Sequence, residues 1–238
     1  MVELNSDGKV YFFLRGFIIM ENSKQGLAFK LAMTGAFGAL VVILGITRLG
    51  FITVSPVISF TIMHVPVILV TLIAGLFPGM GVAFIFGLFS LIQAALNPTG
   101  ILDPFFVNPF ISIVPRLFIP IVTWGIYELL TSVKLPKIIS GGIAGFLGSC
   151  ANSFFVALAL VFITAKQFQT SFPGTGLGAL LGLFFIPGGF IEAGVAAAIS
   201  IAVLSGVIVS AANKKSKLSS EVKDEAVEEL SSADNDAQ

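Results

Sequence analysis

Glu192, Arg116, His64 and Asn152 stand out in this 238-residue sequence because each interrupts a long apolar run. Glu192 lies between Pro187-Gly188-Gly189 and Ala193-Gly194, and Arg116 directly follows Pro115. A charged side chain at the centre of a bilayer costs about 2.5–3.5 kcal/mol even on lenient scales. Glu192 is therefore expected to face a polar cavity, pair with a cation or stay protonated, and Arg116 meets the same choice. An Arg116–Glu192 pair would lower the cost of both, and ligand binding would do so equally well. His64, two residues before Pro66, is the lone histidine; with no second ligand at suitable spacing it reads as a satisfied or cavity-lining side chain, and no metal site is expected. Asn152 with Ser153, and Gln93 with Asn97, bring amides and a hydroxyl to depths where polar groups either bond between helices or line a solute site.

Other chemistry is missing. No G-x-x-x-x-G-K-[ST] is present, so no P-loop holds a nucleotide. There is no H-E-x-x-H, and no G-x-S-x-G to support a serine hydrolase built on His64. Chains of buried acids and histidines, the usual mark of proton-driven carriers, shrink here to Glu192 and His64. Cys150 is the single cysteine and sits in an apolar run, where it reads as packing. These absences point away from an enzyme and away from any resident cofactor. Net charge is zero and no basic block interleaves with aromatics, which argues against nucleic acid.

The elements that carry these residues are membrane spans. Charged residues make up 11% of the chain and hydrophobic ones 56%, with a mean hydropathy of +1.01, against about 25% charge in a typical soluble chain. No formal charge occurs from Leu49 to Leu102 or from Ile138 to Ala165, and about 20 apolar residues suffice to cross a bilayer. Six spans are predicted, at 26–47, 56–77, 79–97, 105–130, 138–164 and 178–212, making an all-α transmembrane six-helix bundle. Pro78-Gly79 is read as the turn between the second and third. Prolines 98, 104 and 109 punctuate an irregular link before the fourth.

Placing both termini in the cytoplasm puts ten basic residues inside: Lys9, Arg15, Lys24, Lys30, Lys134, Lys137, Lys214, Lys215, Lys217 and Lys223. Arg48 and Lys166 then lie outside, with Arg116 near the outer end of span four. That bias fixes the orientation. Residues 1–25 are expected to be an interfacial helix or an extension upstream of a start at Met20, and 213–238 a polar cytoplasmic tail flanking the 26–212 membrane domain.

Small residues recur every fourth position on three spans: Ala28, Ala32 and Ala36 on the first, Gly79, Ala83 and Gly87 on the third, and Gly194, Ala198, Ala202, Gly206 and Ser210 on the sixth. Such stripes let backbones approach closely in lipid. Those of spans three and six are expected to pack inside the bundle; that of span one is free to serve a separate membrane subunit.

Several stretches resemble the S-components, or substrate-binding subunits, of energy-coupling-factor (ECF) vitamin transporters. They run from His64-Val65-Pro66-Val67-Ile68 through Gly75-Leu76-Phe77-Pro78-Gly79-Met80-Gly81 and Phe86-Gly87-Leu88-Phe89-Ser90-Leu91-Ile92 to Phe106-Val107-Asn108-Pro109 and Ser112-Ile113-Val114-Pro115-Arg116. This pattern is similar to that of pantothenate-type members. Gly148-Ser149-Cys150-Ala151-Asn152-Ser153 resembles their span-five motif, departing from it at Cys150, Ala151 and Ser153.

The resemblance implies a multi-pass cell-membrane protein that binds a vitamin from outside. It implies docking on an EcfT-type transmembrane coupling subunit attached to two cytoplasmic ATPases, and toppling in the membrane to deliver the cargo. Ala28, Ala32 and Ala36 become the docking face, the loop from Arg48 to Ser55 a gate, and spans four to six the walls of the site. For pantothenate, a small anion with hydroxyl and amide groups, Arg116 becomes the carboxylate partner and Asn152 a donor and acceptor, with Asn108, Gln93, His64 and Glu192 as further contacts. The alternatives are an S-component for cobalamin, a pyridoxine-type vitamin or a queuosine precursor, a stand-alone secondary carrier, and a membrane enzyme acting on lipid.

Overall fold

The computed structural model describes residues 7–53, 59–98, 103–171 and 189–236. Residues 54–58, 99–102 and 172–188 lie outside it, and with them the end of the 48–55 loop, part of the link before span four, and the start of span six. The architecture is helical. Among the described residues five helices are apolar and long enough to cross a bilayer, spanning Gly26–Ile46, Leu76–Leu96, Pro109–Ser132, Lys137–Ile163 and Phe190–Asn213. They belong to α1 (Asp7–Ile46), α3 (Leu76–Leu96), α6 (Val114–Ser132) with the single turn α5 (Pro109–Ser112) before it, α7 (Lys137–Ser171) and α8 (Phe190–Asp236). A four-residue helix, α4 (Asp103–Phe106), precedes α5. Helix α1 runs unbroken through residue 25 and α8 through residue 213.

The second expected span is built differently. Its helix, α2, covers only Val65–Ala74, about 15 Å at 1.5 Å per residue and half of what a bilayer core demands. The chain before it forms an antiparallel ribbon of β1 (Phe51–Thr53) and β2 (Ser59–Thr61), with Phe51 opposite Thr61 and Ile52 opposite Phe60. Physical chemistry accounts for the switch. Ile52, Thr53 and Thr61 are β-branched and suit a pleated backbone, while Pro66 suits the first turn of a helix, where its missing N–H breaks no bond.

The break after α2 also differs from expectation. It falls at Gly75, whose φ of +97° only glycine adopts readily. Pro78 and Gly79 lie just beyond it, in the opening turn of α3, whose first four N–H groups have no intrahelical acceptor in any case.

Helix α2 is the centre of the molecule. Val65 through Leu72 are buried without exception, and α2 packs against α1, α3, α6, α7 and α8. The stripe on α3 works as expected: Gly79, Ala83 and Gly87 are buried, and a β-carbon on Gly87 would come 2.8 Å from the Cα of Ile113.

The stripe on α8 does not. Gly194, Ala198, Ala202, Gly206 and Ser210 are all exposed, and nothing lies within 4 Å of where a β-carbon would stand on Gly194 or Gly206. Helix α8 instead turns Ala196, Ser200 and Leu204 inward against Gly141 and Gly145 of α7. The small partner in that contact is α7, so α8 is free to use larger side chains. Ala28, Ala32 and Ala36 of α1 are exposed.

Candidate functional site

Two buried polar clusters, one at the start of α2 and one at the start of α6, together hold the residues singled out in the sequence. The first is assembled where the ribbon turns into α2. Ile62 donates its N–H to the Gly50 carbonyl at 2.9 Å. Bonded and non-bonded pairs alternate along an antiparallel ladder, so the Phe51–Thr61 pair is non-bonded and the Thr61 N–H points away from β1. Glu192, 8% exposed in the first turn of α8, accepts that N–H on Oε1 at 2.5 Å. The Thr61 hydroxyl in turn accepts the Met63 N–H at 3.3 Å. His64 follows as the N-cap of α2, fully buried, and its Nε2 shares a 2.9 Å hydrogen bond with the buried Ser149 hydroxyl of α7. Asn152 lies three residues further along α7 at 5% exposure, and its Oδ1 has no hydrogen-bond partner. The Thr123 hydroxyl of α6 is likewise buried and unpartnered, next to Gly148 of α7.

The second cluster centres on Arg116, 6% exposed at the start of α6. Its Nη1 donates to the Ile111 carbonyl at 2.7 Å, closing off the end of α5, and its Nη2 donates to the Ser90 hydroxyl of α3 at 3.3 Å. The guanidinium lies over the rings of Phe86 and Phe106, at 5.4 and 5.0 Å from their centroids, a favourable cation–π placement. Nε is buried with no partner. Gln93 lies one turn beyond Ser90 on the same face of α3, half-buried, its Oε1 unpartnered. Asn108 has a local role as N-cap of α5, accepting the Phe110 N–H at 3.0 Å, as asparagine at such a position commonly does.

Glu192 thus bonds the ribbon while Arg116 bonds α3 and α5, and the Arg116–Glu192 pair left open by the sequence is not formed. Ser149, Ser90, Thr123 and the Thr61 amide join the clusters without having been singled out. Ser149 and Ser90 were within reach, since each lies three residues from a chosen amide on the same helix; a backbone N–H leaves no mark in a sequence.

The Ser149–His64 contact has the spacing of a nucleophile and base, yet both side chains are fully buried, and among the described residues no carboxylate stands at the far ring nitrogen, Nδ1. A triad needs that third group. Among the described residues no three His, Cys, Asp or Glu side chains gather as a metal site. A groove of about 400 Å³ between α6 and α7 is lined by Val122, Ile126, Leu147, Cys150, Ala151, Phe154 and Phe155. Those side chains suit lipid and offer a polar solute nothing.

The arrangement leaves hydrogen-bonding capacity on Asn152, Thr123, Gln93 and Arg116 unused inside an apolar bundle. A family model described as ECF transporter, substrate-specific component, matches residues 29–204. None of the curated proteins matches the chain. A crystal structure described as a truncated transition metal transporter is similar at 21% identity, covering 74% of this chain and 80% of that one, with a TM-score of 0.45.

Proposed function

Since the chain belongs to the family of substrate-specific components of ECF transporters, we propose that it is the vitamin-binding subunit of an ATP-driven importer in the cell membrane and that its vitamin is pantothenate. Membership of this family goes with a substrate-binding subunit that leaves energy to others, here an EcfT-type coupling subunit and two cytoplasmic ATPases. The exposed Ala28, Ala32 and Ala36 of α1 offer the coupling subunit a surface on which helix backbones can close up. Both termini are cytoplasmic in this reading.

The observation that carries the cargo assignment is the state of Arg116. Nη1 is anchored on Ile111, while Nε is unpartnered and Nη2 makes only a 3.3 Å contact with Ser90. Nε and Nη2 share one edge of the guanidinium, and that edge accepts a carboxylate through two parallel bonds. The amide and hydroxyl groups of pantothenate then have Gln93, Asn152, Ser149 and His64 for partners.

Titrating the purified protein with a panel of vitamins tests this reading. Pantothenate is expected to bind most tightly. A hydrogen bond to a charged group contributes about 1.5–3 kcal/mol, so Arg116→Ala is expected to weaken pantothenate about ten- to a hundredfold. Unchanged affinity in that variant would remove the anion-binding role, and tighter binding of a different vitamin would remove the cargo assignment.

A further inference from the structure

Among the described residues Glu192 bonds no cation but a single backbone amide, 131 residues away in sequence. That amide is the outward-facing N–H of the ribbon's last residue, and inside a membrane protein such a group must find an acceptor because no water is at hand. From Thr61 a short hydrogen-bonded path leads onward. The Thr61 hydroxyl holds the Met63 N–H, Val65 donates to the Ile62 carbonyl at 3.0 Å, and His64 between them caps α2 and meets Ser149. Only Ile62 and Met63 therefore separate the residue whose amide Glu192 grips from the histidine placed against α7. With only ten residues in α2, the position of its first turn depends on what holds the chain just before it.

We infer that Glu192 is a positioning residue. By fixing the Thr61 amide it sets the start of α2, and so holds His64 against Ser149 in the cluster offered to cargo; it does not itself touch the cargo. The inference rests on the binding reading above only in its affinity arm.

His64 is the only histidine, so a protein labelled with ¹⁵N-histidine, freed of any affinity tag and held in detergent, gives a single pair of imidazole signals. Ser149→Ala supplies the reference shift for a lost His64–Ser149 bond. Glu192→Ala is expected to move the imidazole signals in the same direction as Ser149→Ala and to weaken the vitamin at least fivefold. Glu192→Gln keeps an acceptor oxygen for the Thr61 amide and is expected to retain both the signals and affinity within twofold of the parent chain.

Unmoved imidazole signals in Glu192→Ala would overturn the inference. So would a Glu192→Gln variant that binds as weakly as Glu192→Ala while its imidazole signals match the parent, because the carboxylate would then be meeting cargo directly. Should Glu192→Ala fail to fold, Glu192→Gln measured against the parent still decides: parent-like signals with affinity within twofold support the inference, and parent-like signals with affinity lost fivefold or more overturn it. Should the parent chain bind no vitamin, the cargo proposal fails while the imidazole signals continue to report on Glu192.

Discussion

A guanidinium buried among apolar rings is tolerated when its hydrogens find acceptors and its charge finds electron density. Arg116 meets that demand with Ile111, Ser90, Phe86 and Phe106, leaving Nε over. A lysine at this position would keep the charge but lose the planar fork. Arg116→Lys is accordingly expected to bind pantothenate about tenfold more weakly, in line with the 1.4 kcal/mol that a tenfold change represents, and calorimetric titration reads this directly. Affinity equal to the parent's would mean that charge alone is recognised. Ser90→Ala tests the same edge from the other side. Removing the weak 3.3 Å competitor is expected to leave pantothenate affinity unchanged or raise it, and a loss of tenfold or more would show that Ser90 orients the guanidinium. These residues were visible in the sequence because a lone polar side chain in a charge-free run has few explanations. Their partners were less so: Ser90 and Ser149 are marked only by lying three residues from a chosen amide on the same helix, and the amide of Thr61 differs in no way from any other until the fold brings Glu192 to it.

Among the elements, the long helices were the legible part, since stretches free of charge and longer than a bilayer is thick admit one reading. The ribbon was not. A short apolar run rich in β-branched residues serves a buried strand and a buried helix alike, so the first part of span two passed for helix. The turn after α2 was misplaced by three residues because Gly75 and Pro78-Gly79 are all breakers, and only the positive φ at Gly75 shows which one acts. Stripes of small residues carry a similar ambiguity. Spacing shows that a helix can be approached closely but not from which side. Gly148→Val separates the two kinds of position, since a β-carbon there would stand 2.1 Å from the Thr123 hydroxyl. Overpacking of this sort costs about 1–3 kcal/mol, and Gly148→Val is expected to lower the melting temperature in detergent by several degrees, whereas Gly206→Val on exposed α8 should leave it within a degree. Equal effects would show that α8 is packed after all. On α1, Ala32→Trp is expected to leave vitamin binding intact and abolish uptake by the assembled importer; uptake that persists would remove the alanine face as the docking surface.

Among the described residues, five membrane-length helices pack against a half-length sixth, buried polar groups gather at the start of that short helix and around Arg116, and the sequence carries no nucleotide-binding motif. In the proposed reading such a protein holds a solute and draws its energy from other subunits. The family to which it belongs supplies the missing part as separate subunits. The central claim is this division between binding and power, and reconstitution in liposomes tests it most directly. With the chain alone, radiolabelled pantothenate is expected to bind to the vesicles at no more than one molecule per protein and never to accumulate, whether or not ATP is inside. With a coupling subunit and its two ATPases added, accumulation is expected to begin and to require ATP on the side of the ATPases. Steady flux of the vitamin through vesicles that hold only this chain would contradict the account.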